Sequence, residues 1–185
     1  NTLAKTLGTQ AHLTIRVPDD TPTPARSDEP GVDRLGAVQV RAQRVRSIVQ
    51  WQAIAARLEH EPAIDAISPM VAGSALAVRG DATQAVTLTG VELDRYDRIV
   101  GLRSRVATGT ARLQPGETIV GIELAHDLGF GVGDRLTLQA GPVAEAMRVT
   151  ALVDLGVREL NRRTVIVPLR ATQSLLGVPG GATQL

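Results

Sequence analysis

Hydrophobic positions along this chain follow two periods, and the switches between them outline the elements. Strict alternation comes first at His12–Val17, where Leu13, Ile15 and Val17 interleave with His12, Thr14 and Arg16, predicting a strand that Pro18 ends. A short strand is also expected at Val38–Ala42. From Ile48 the spacing becomes helical: Ile48, Trp51, Ile54, Ala55 and Leu58 share one face, Ser47 supplies an N-cap and Pro62 a stop near His60. Ala63–Val71 reads as a strand. Ser74–Arg79 and Ala85–Val91 then read as two strands of a hairpin turning at Gly80–Asp81. Tyr96–Leu102 has helical spacing and Gly109–Gly116 is loop and turn.

The densest pattern is Gly116–Leu138, GETIVGIELAHDLGFGVGDRLTL. Thr118–Val120 is β-branched. Glu123–Leu128 places Leu124, Ala125 and Leu128 on one helical face. Gly129, Gly131 and Gly133 break that helix, and Asp134 opens the strand Arg135–Leu138 through an Asx-type turn. Beyond it, Met147–Leu152 and Arg163–Val167 read as strands around a polar turn Gly156–Arg162, and Ala171–Leu176 as a helix that Gly177 and Pro179 stop.

Composition narrows the chemistry. The 185 residues are 43% hydrophobic but only 2% aromatic, so the core is aliphatic. With Trp51, Tyr96 and Phe130 as the only aromatic residues, base-stacking platforms are excluded. The net charge of +1 gives no electrostatic case for a nucleic-acid partner. Without cysteine there are no disulfides, thiolate metal sites or cysteine nucleophile. No apolar run approaches the roughly 20 residues that span a bilayer. Asn1 and the absence of a leader pattern lead us to expect a segment of a longer protein, whose membrane spans lie elsewhere. The polar stretch 19–34, rich in proline, reads as a long loop.

Candidate chemistry is sparse. Glu123 and His126 share a helix face at metal-ligand spacing, but no second pair completes a ligand set, so a solvated face is expected. Glu59, His60 and Glu61 cluster at a helix C-terminus, where His60 suits the helix dipole. The three glycines of 129–133 follow a helix, whereas a phosphate-binding loop precedes one, and they read as a cap and turn. Arg41, Arg44 and Arg46, with Arg34 and Arg57, form the one basic stretch, read as a solvated face in preference to a dock for acidic groups. Asp94, Arg95, Asp97 and Arg98 read as surface pairs. No catalytic motif occurs, and no catalytic, cofactor or metal residue is assigned.

The order of segments resembles the extracytoplasmic domain of MacB-type ABC transporter permeases, the group that includes LolC and LolE. The resemblance is carried by WQAIAARLEHEPAIDAISPMV (51–71), VTLTGVE (86–92), Gly109, Gly116–Glu117, IVGIELAHDLGFGVGDRLTL (119–138), MRVTALVDLG (147–156) and TVIVPLRATQSLLG (164–177). It implies an α+β fold: a porter-like α/β subdomain, 1–73 plus 163–185, with an inserted β-rich sabre-like subdomain, 74–162. The family's second porter half, a further strand-helix-strand, is absent up to Leu185, and Gln139–Ala146 is short where LolC carries an extended hairpin.

The resemblance further implies an inner-membrane permease with this segment in the periplasm. ATP hydrolysis belongs to a cytoplasmic ATPase subunit or domain reached through the membrane helices. A second permease subunit forms a dimer, and a periplasmic adaptor or lipoprotein chaperone is a further partner; no nucleic acid and no cofactor are expected. Two rivals stand beside this reading. The helix-LG-x-x-GD-strand pattern over about 20 residues also resembles AbrB-type DNA-binding or regulatory domains. An enzyme would need a site assembled from residues such as His12, His60 and His126.

Overall fold

The computed structural model describes residues 13–17, 47–48 and 50–185. The expected loop 19–34, the strand Val38–Ala42, His12, and Arg34, Arg41, Arg44 and Arg46 lie outside the described residues. The described chain runs α1 (Trp51–Leu58), β1 (Met70–Arg79), β2 (Ala82–Val91), α2 (Leu93–Val100), a 3-10 turn (Leu102–Arg105) and β3 (Val106–Gly109). It continues through β4 (Glu117–Gly121), α3 (Ile122–Leu128), β5 (Arg135–Ala140), β6 (Val143–Val153), α4 (Arg158–Arg163), β7 (Thr164–Pro168) and α5 (Leu169–Leu175). This is the α+β class that the family resemblance implies.

The strands pair in the order β3-β6-β4-β7-β2-β1-β5, and β5 pairs also with β6. The sheet therefore closes on itself as a ring of six, with β3 alongside the far end of β6. Closure depends on the length of β6. Its first half, Val143–Arg148, pairs antiparallel with β5, and its second half, Arg148–Val153, pairs parallel with β4. β2–β7 is the other parallel pair, and β4–β7 is antiparallel. Such closure removes free edges from the six strands.

Alternation turns the ring into a core. Ala75 and Ala77 of β1, Val86 and Leu88 of β2, Val165 and Val167 of β7 and Val120 of β4 pack together with Leu136 and Leu138 of β5 and Met147 and Val149 of β6. Leu124 and Ala125 of α3, with Phe130, complete this cluster. The opposite faces of the same strands form a second body, built from Val91, Ile119, Ala151, Val153 and Ile166 with Leu102 of the 3-10 turn. β7 is thus buried on both faces, which accounts for its continuous apolar run Val165–Val167. A third cluster gathers Ile48, Trp51, Ala55, Ile67, Val71, Leu169, Val178 and Ala182.

Several expectations need correction. Ser47 caps no helix: Ile48 instead bridges Ala182, and α1 begins at Trp51 behind Gln50, which takes a left-handed conformation. Of the expected strand His12–Val17, the described residues 13–17 make one bridge, Arg16 to Gln184, in place of a strand. Residues 63–69 are irregular, and the strand expected at Ala63–Val71 starts at Met70 and runs unbroken through Gly73 to Arg79. The reason is tertiary, because β2 pairs with all ten residues of β1. α2 starts a turn earlier than expected, and β3 was hidden in a segment that carries no strand period. The expected polar turn Gly156–Arg162 contains α4, a short helix held by contacts with α3.

Candidate functional site

Several long-range polar contacts converge on the glycine-rich stretch between α3 and β5. Gly129 ends α3 in the left-handed region at φ 66, and the Phe130 N–H reaches back to the Ala125 carbonyl at 3.0 Å. The Asp134 carboxylate accepts the Gly131 N–H at 3.0 Å, drawing the turn closed. The backbone then clamps a remote strand: Gly133 N–H donates to Val149 carbonyl at 2.8 Å, and Val149 N–H donates to Asp134 carbonyl at 2.9 Å. The glycines thus cap a helix and turn into a strand, as their spacing predicts.

Arg79, at the end of β1, locks this turn from the other side. Its Nη1 donates to the carbonyls of Leu128 and Gly129, its Nη2 lies 3.3 Å from Asp134, and its guanidinium sits 5.8 Å over the Phe130 ring. The partners are separated by about half the ring's sequence, so no local pattern announces them. Arg79 was not singled out from sequence; the only signal was a lone arginine beside a hairpin turn.

A second set of contacts joins α3 to α4. Glu123 pairs with Arg158 at 3.2 Å and Asp127 with Arg162 at 3.0 Å, so carboxylates four apart meet arginines four apart. The helices approach closely because Gly121 precedes α3: a Cβ there would lie 2.1 Å from the Asn161 carbonyl oxygen. Asn161 is buried, donates to Asp154 at 2.8 Å and accepts the Leu155 N–H at 2.8 Å. The Gly156 N–H and the Asn161 amide together hold the Asp154 carboxyl below its ordinary range.

The remaining candidates resolve as surface structure. Glu123 faces an arginine, and His126 is exposed, 3.7 Å from Asp127. Among the described residues no group of three or more His, Cys, Asp or Glu side chains is arranged to hold a metal ion. His60 Nδ1 lies 2.6 Å from the Ala56 carbonyl within its own helix end, and Glu59 pairs with Arg95 at 3.1 Å. Three of the four 94–98 charges pair outward and not with one another: Asp94 and Asp97 both hold Arg103, at 2.5 and 2.9 Å, while Arg95 bridges Glu59 and Glu92. The hydrogen bond Arg103 donates to Asp94, then that to Asp97, pushes Arg103 above its ordinary range. The structure brings no nucleophile, base and orienting group together among the described residues.

Comparison with known proteins follows the same lines. A family model described as the MacB-like periplasmic core domain matches residues 19–184. The lipoprotein-releasing system transmembrane protein LolE of Haemophilus influenzae is 29% identical over 142 residues, covering 70% of this chain and 34% of that protein. The chain therefore spans about a third of that relative's length. Among solved structures, the extracellular domain of the noncanonic ABC-type transporter YknZ from Gram-positive bacteria superposes with a TM-score of 0.56 at 15% identity, covering 75% of this chain and 71% of that one. The periplasmic region of MacB from Actinobacillus actinomycetemcomitans gives 0.54 at 15% identity, covering 72% and 61%. At that identity the likeness is one of fold. No helix among the described residues is long and apolar enough to cross a membrane.

Proposed function

Because this chain belongs to the family of MacB-like periplasmic core domains, we propose that it is the extracytoplasmic domain of an inner-membrane ABC transporter permease. Its task in this reading is mechanical. A cytoplasmic ATPase subunit or domain hydrolyses ATP, membrane helices relay the movement, and this domain, facing a second permease subunit, moves substrate in the periplasm. The substrate class is taken from LolE, whose name places it in lipoprotein release. A periplasmic adaptor or lipoprotein chaperone is the partner that would receive it.

The observation that carries the mechanical reading is the closed ring of six strands with its cross-ring clamps. A ring whose turn is tied to β1 by Arg79 and to β6 by Gly133–Val149 resists shear, so force applied at one side is transmitted to the other. The division into a porter-like part, 1–73 plus 163–185, and a sabre-like part, 74–162, belongs to this proposal. Its support is the cluster around Trp51, which draws only on the first set of residues, including Leu169, Val178 and Ala182. β7, counted with the porter-like part in this division, packs its side chains in the two ring clusters, Val165 and Val167 in one and Ile166 in the other.

The DNA-binding alternative gains no support from the comparisons.

The test uses the full-length permease reassembled with its ATPase in membrane vesicles. Replacing this domain with a flexible linker should leave ATP hydrolysis in place and abolish release of an acylated reporter lipoprotein to a soluble acceptor. Release at the original rate without the domain would overturn the reading.

A further inference from the structure

The outer faces of β2, β1, β5 and β6 form one continuous surface, and the pairings between these strands set its residues in rows. One row reads Ala85, Leu76, Gln139 and Ala144 across the four strands. The next reads Thr83, Val78, Thr137 and Ala146. None of the eight is charged and six are exposed, Leu76 to 40%. Depletion of charge, more than bulk apolarity, marks the centre of a protein–protein interface.

Charge returns in the third row, divided by sign. Arg135 and Arg148 are partners on β5 and β6, and both are exposed. Like charges directly opposite on a sheet repel. Their acidic neighbours are engaged elsewhere: Glu117, the β4 partner of Arg148, holds Arg112, and Asp134 holds Arg79 and the Gly131 N–H. At the β2 side of the same row, exposed Asp81 follows Gly80 in the hairpin turn. Among the described residues, Asp81, Arg135 and Arg148 have no ion-pair partner within 4.0 Å.

This pattern is complementary to itself under one symmetry operation. A two-fold axis running along the strands, between β1 and β5, lays β2 of one copy over β6 of the other and β1 over β5. Asp81 then faces Arg148 of the second copy, and the contact occurs twice. Ala85 meets Ala144 and Thr83 meets Ala146, so small side chains face small ones and the sheets can pack aligned. Turning the second copy end for end would instead carry the charged rows to opposite ends.

We propose that this face is where two copies of this chain meet. The second copy is the second subunit of the permease reading, and the proposal rests on that reading for its setting. Three rows of four positions cover roughly 400 Å² per copy at the spacings of a β-sheet. A stable pair of free proteins buries about 800 Å² per partner. The contact is therefore weak in free solution, and tethering in one membrane supplies the roughly millimolar effective concentration that it needs.

The experiment follows self-association of the 185-residue chain by sedimentation equilibrium at low salt, up to about 1 mM, the range of a weak contact. A monomer–dimer equilibrium is expected. Asp81→Arg and Arg148→Asp should each weaken it about 10-fold, since two exposed charge contacts turn from attraction to repulsion. An equimolar mixture of these two variants should dimerise as the parent does, because each supplies the charge that the other lacks. The double variant should recover as well. Ala85→Glu, which sets an unpaired charge in the uncharged rows at an exposed position, should abolish the dimer; circular dichroism confirms that each variant is folded.

A chain that stays monomeric throughout would overturn the proposal and leave the face to a different protein. Dimers indifferent to Asp81→Arg and Arg148→Asp would overturn it too, since they form through another surface. Weakening without recovery in the mixture would overturn the two-fold arrangement. The vesicle release assay decides the permease reading separately in every case.

Discussion

Arg79 reaches across the ring to Asp134, with Nη2 3.3 Å from the carboxylate, and so ties the end of β1 to the turn that launches β5. The contact is partly solvated, and its strength comes from company. The same guanidinium also holds two carbonyls at the end of α3 and covers Phe130. Asp134 in turn holds Gly131. One arginine therefore fixes a helix end, an aromatic side chain and an Asx-type turn.

Arg79→Ala should cost about 1 kcal/mol, the sum of partly exposed charged hydrogen bonds and a cation–π contact. Asp134→Ala should cost less in the Arg79→Ala background than alone, because the two act through one contact. Denaturant titration of the two single variants and the double variant measures the coupling; strictly additive losses would show that the pair does not act as a unit.

Gly121→Ala should be the most damaging of the small substitutions. Its new methyl would meet the Asn161 carbonyl oxygen at 2.1 Å, and backbone cannot rotate away as a side chain can. Separating α4 from α3 would also stretch the pairs Glu123–Arg158 and Asp127–Arg162. A loss of about 2–3 kcal/mol is expected from overpacking, lowering the melting temperature by some 5–10 °C. Calorimetry gives the value directly.

The glycines of the 129–133 turn should separate by conformation. Gly133 has φ +97 with open space around it, so an added methyl is penalised by backbone alone. Gly133→Ala should cost about 1–2 kcal/mol. Gly131 has neither a positive φ nor a neighbour within 4 Å, and Gly131→Ala should fall within about 0.5 kcal/mol of the parent. Equal losses at the two positions would contradict this account of the turn.

Tyr96 confers a pH dependence at the alkaline end. Burial pushes its phenol above the ordinary value of 10.0, against a smaller opposing effect from Arg105. Above pH 10 the unfolded chain loses the phenolic proton while the folded chain keeps it. The unfolded state then binds fewer protons, so stability falls as pH rises from there toward the folded value. Tyr96→Phe should flatten that fall, as read from denaturant midpoints across the alkaline range.

Legibility differed element by element. The hairpin β1–β2 was visible because alternation and the Gly80–Asp81 turn are local signals, and register then pairs Arg79 directly with Ala82. The stretch from β4 through α3 to β5 was visible for the same reason, its glycines marking both ends of the turn. Ser47 misled because a cap signal is weak beside a bridge from Ile48 to Ala182, a partner far along the chain. α4 was hidden because REL in a polar stretch carries no face of its own; its contacts with α3 and the Asn161 network hold it. β3 pairs only three residues with β6, too few for a period to show. Among the candidate residues, the spacing of Glu123 and His126 was visible, but Arg158, which satisfies Glu123, lies 35 residues away.

By itself, then, the sequence determined the aliphatic core, the hairpin and the glycine-marked connector, since each depends on composition or on residues within a few positions of one another. Tertiary structure decided the closure of the ring, the seat of β7 between β4 and β2 and the Arg79–Asp134 tie. These depend on strand register and on contacts between distant residues. Alternation says which face of a strand is buried, but it does not say which strand lies beside it.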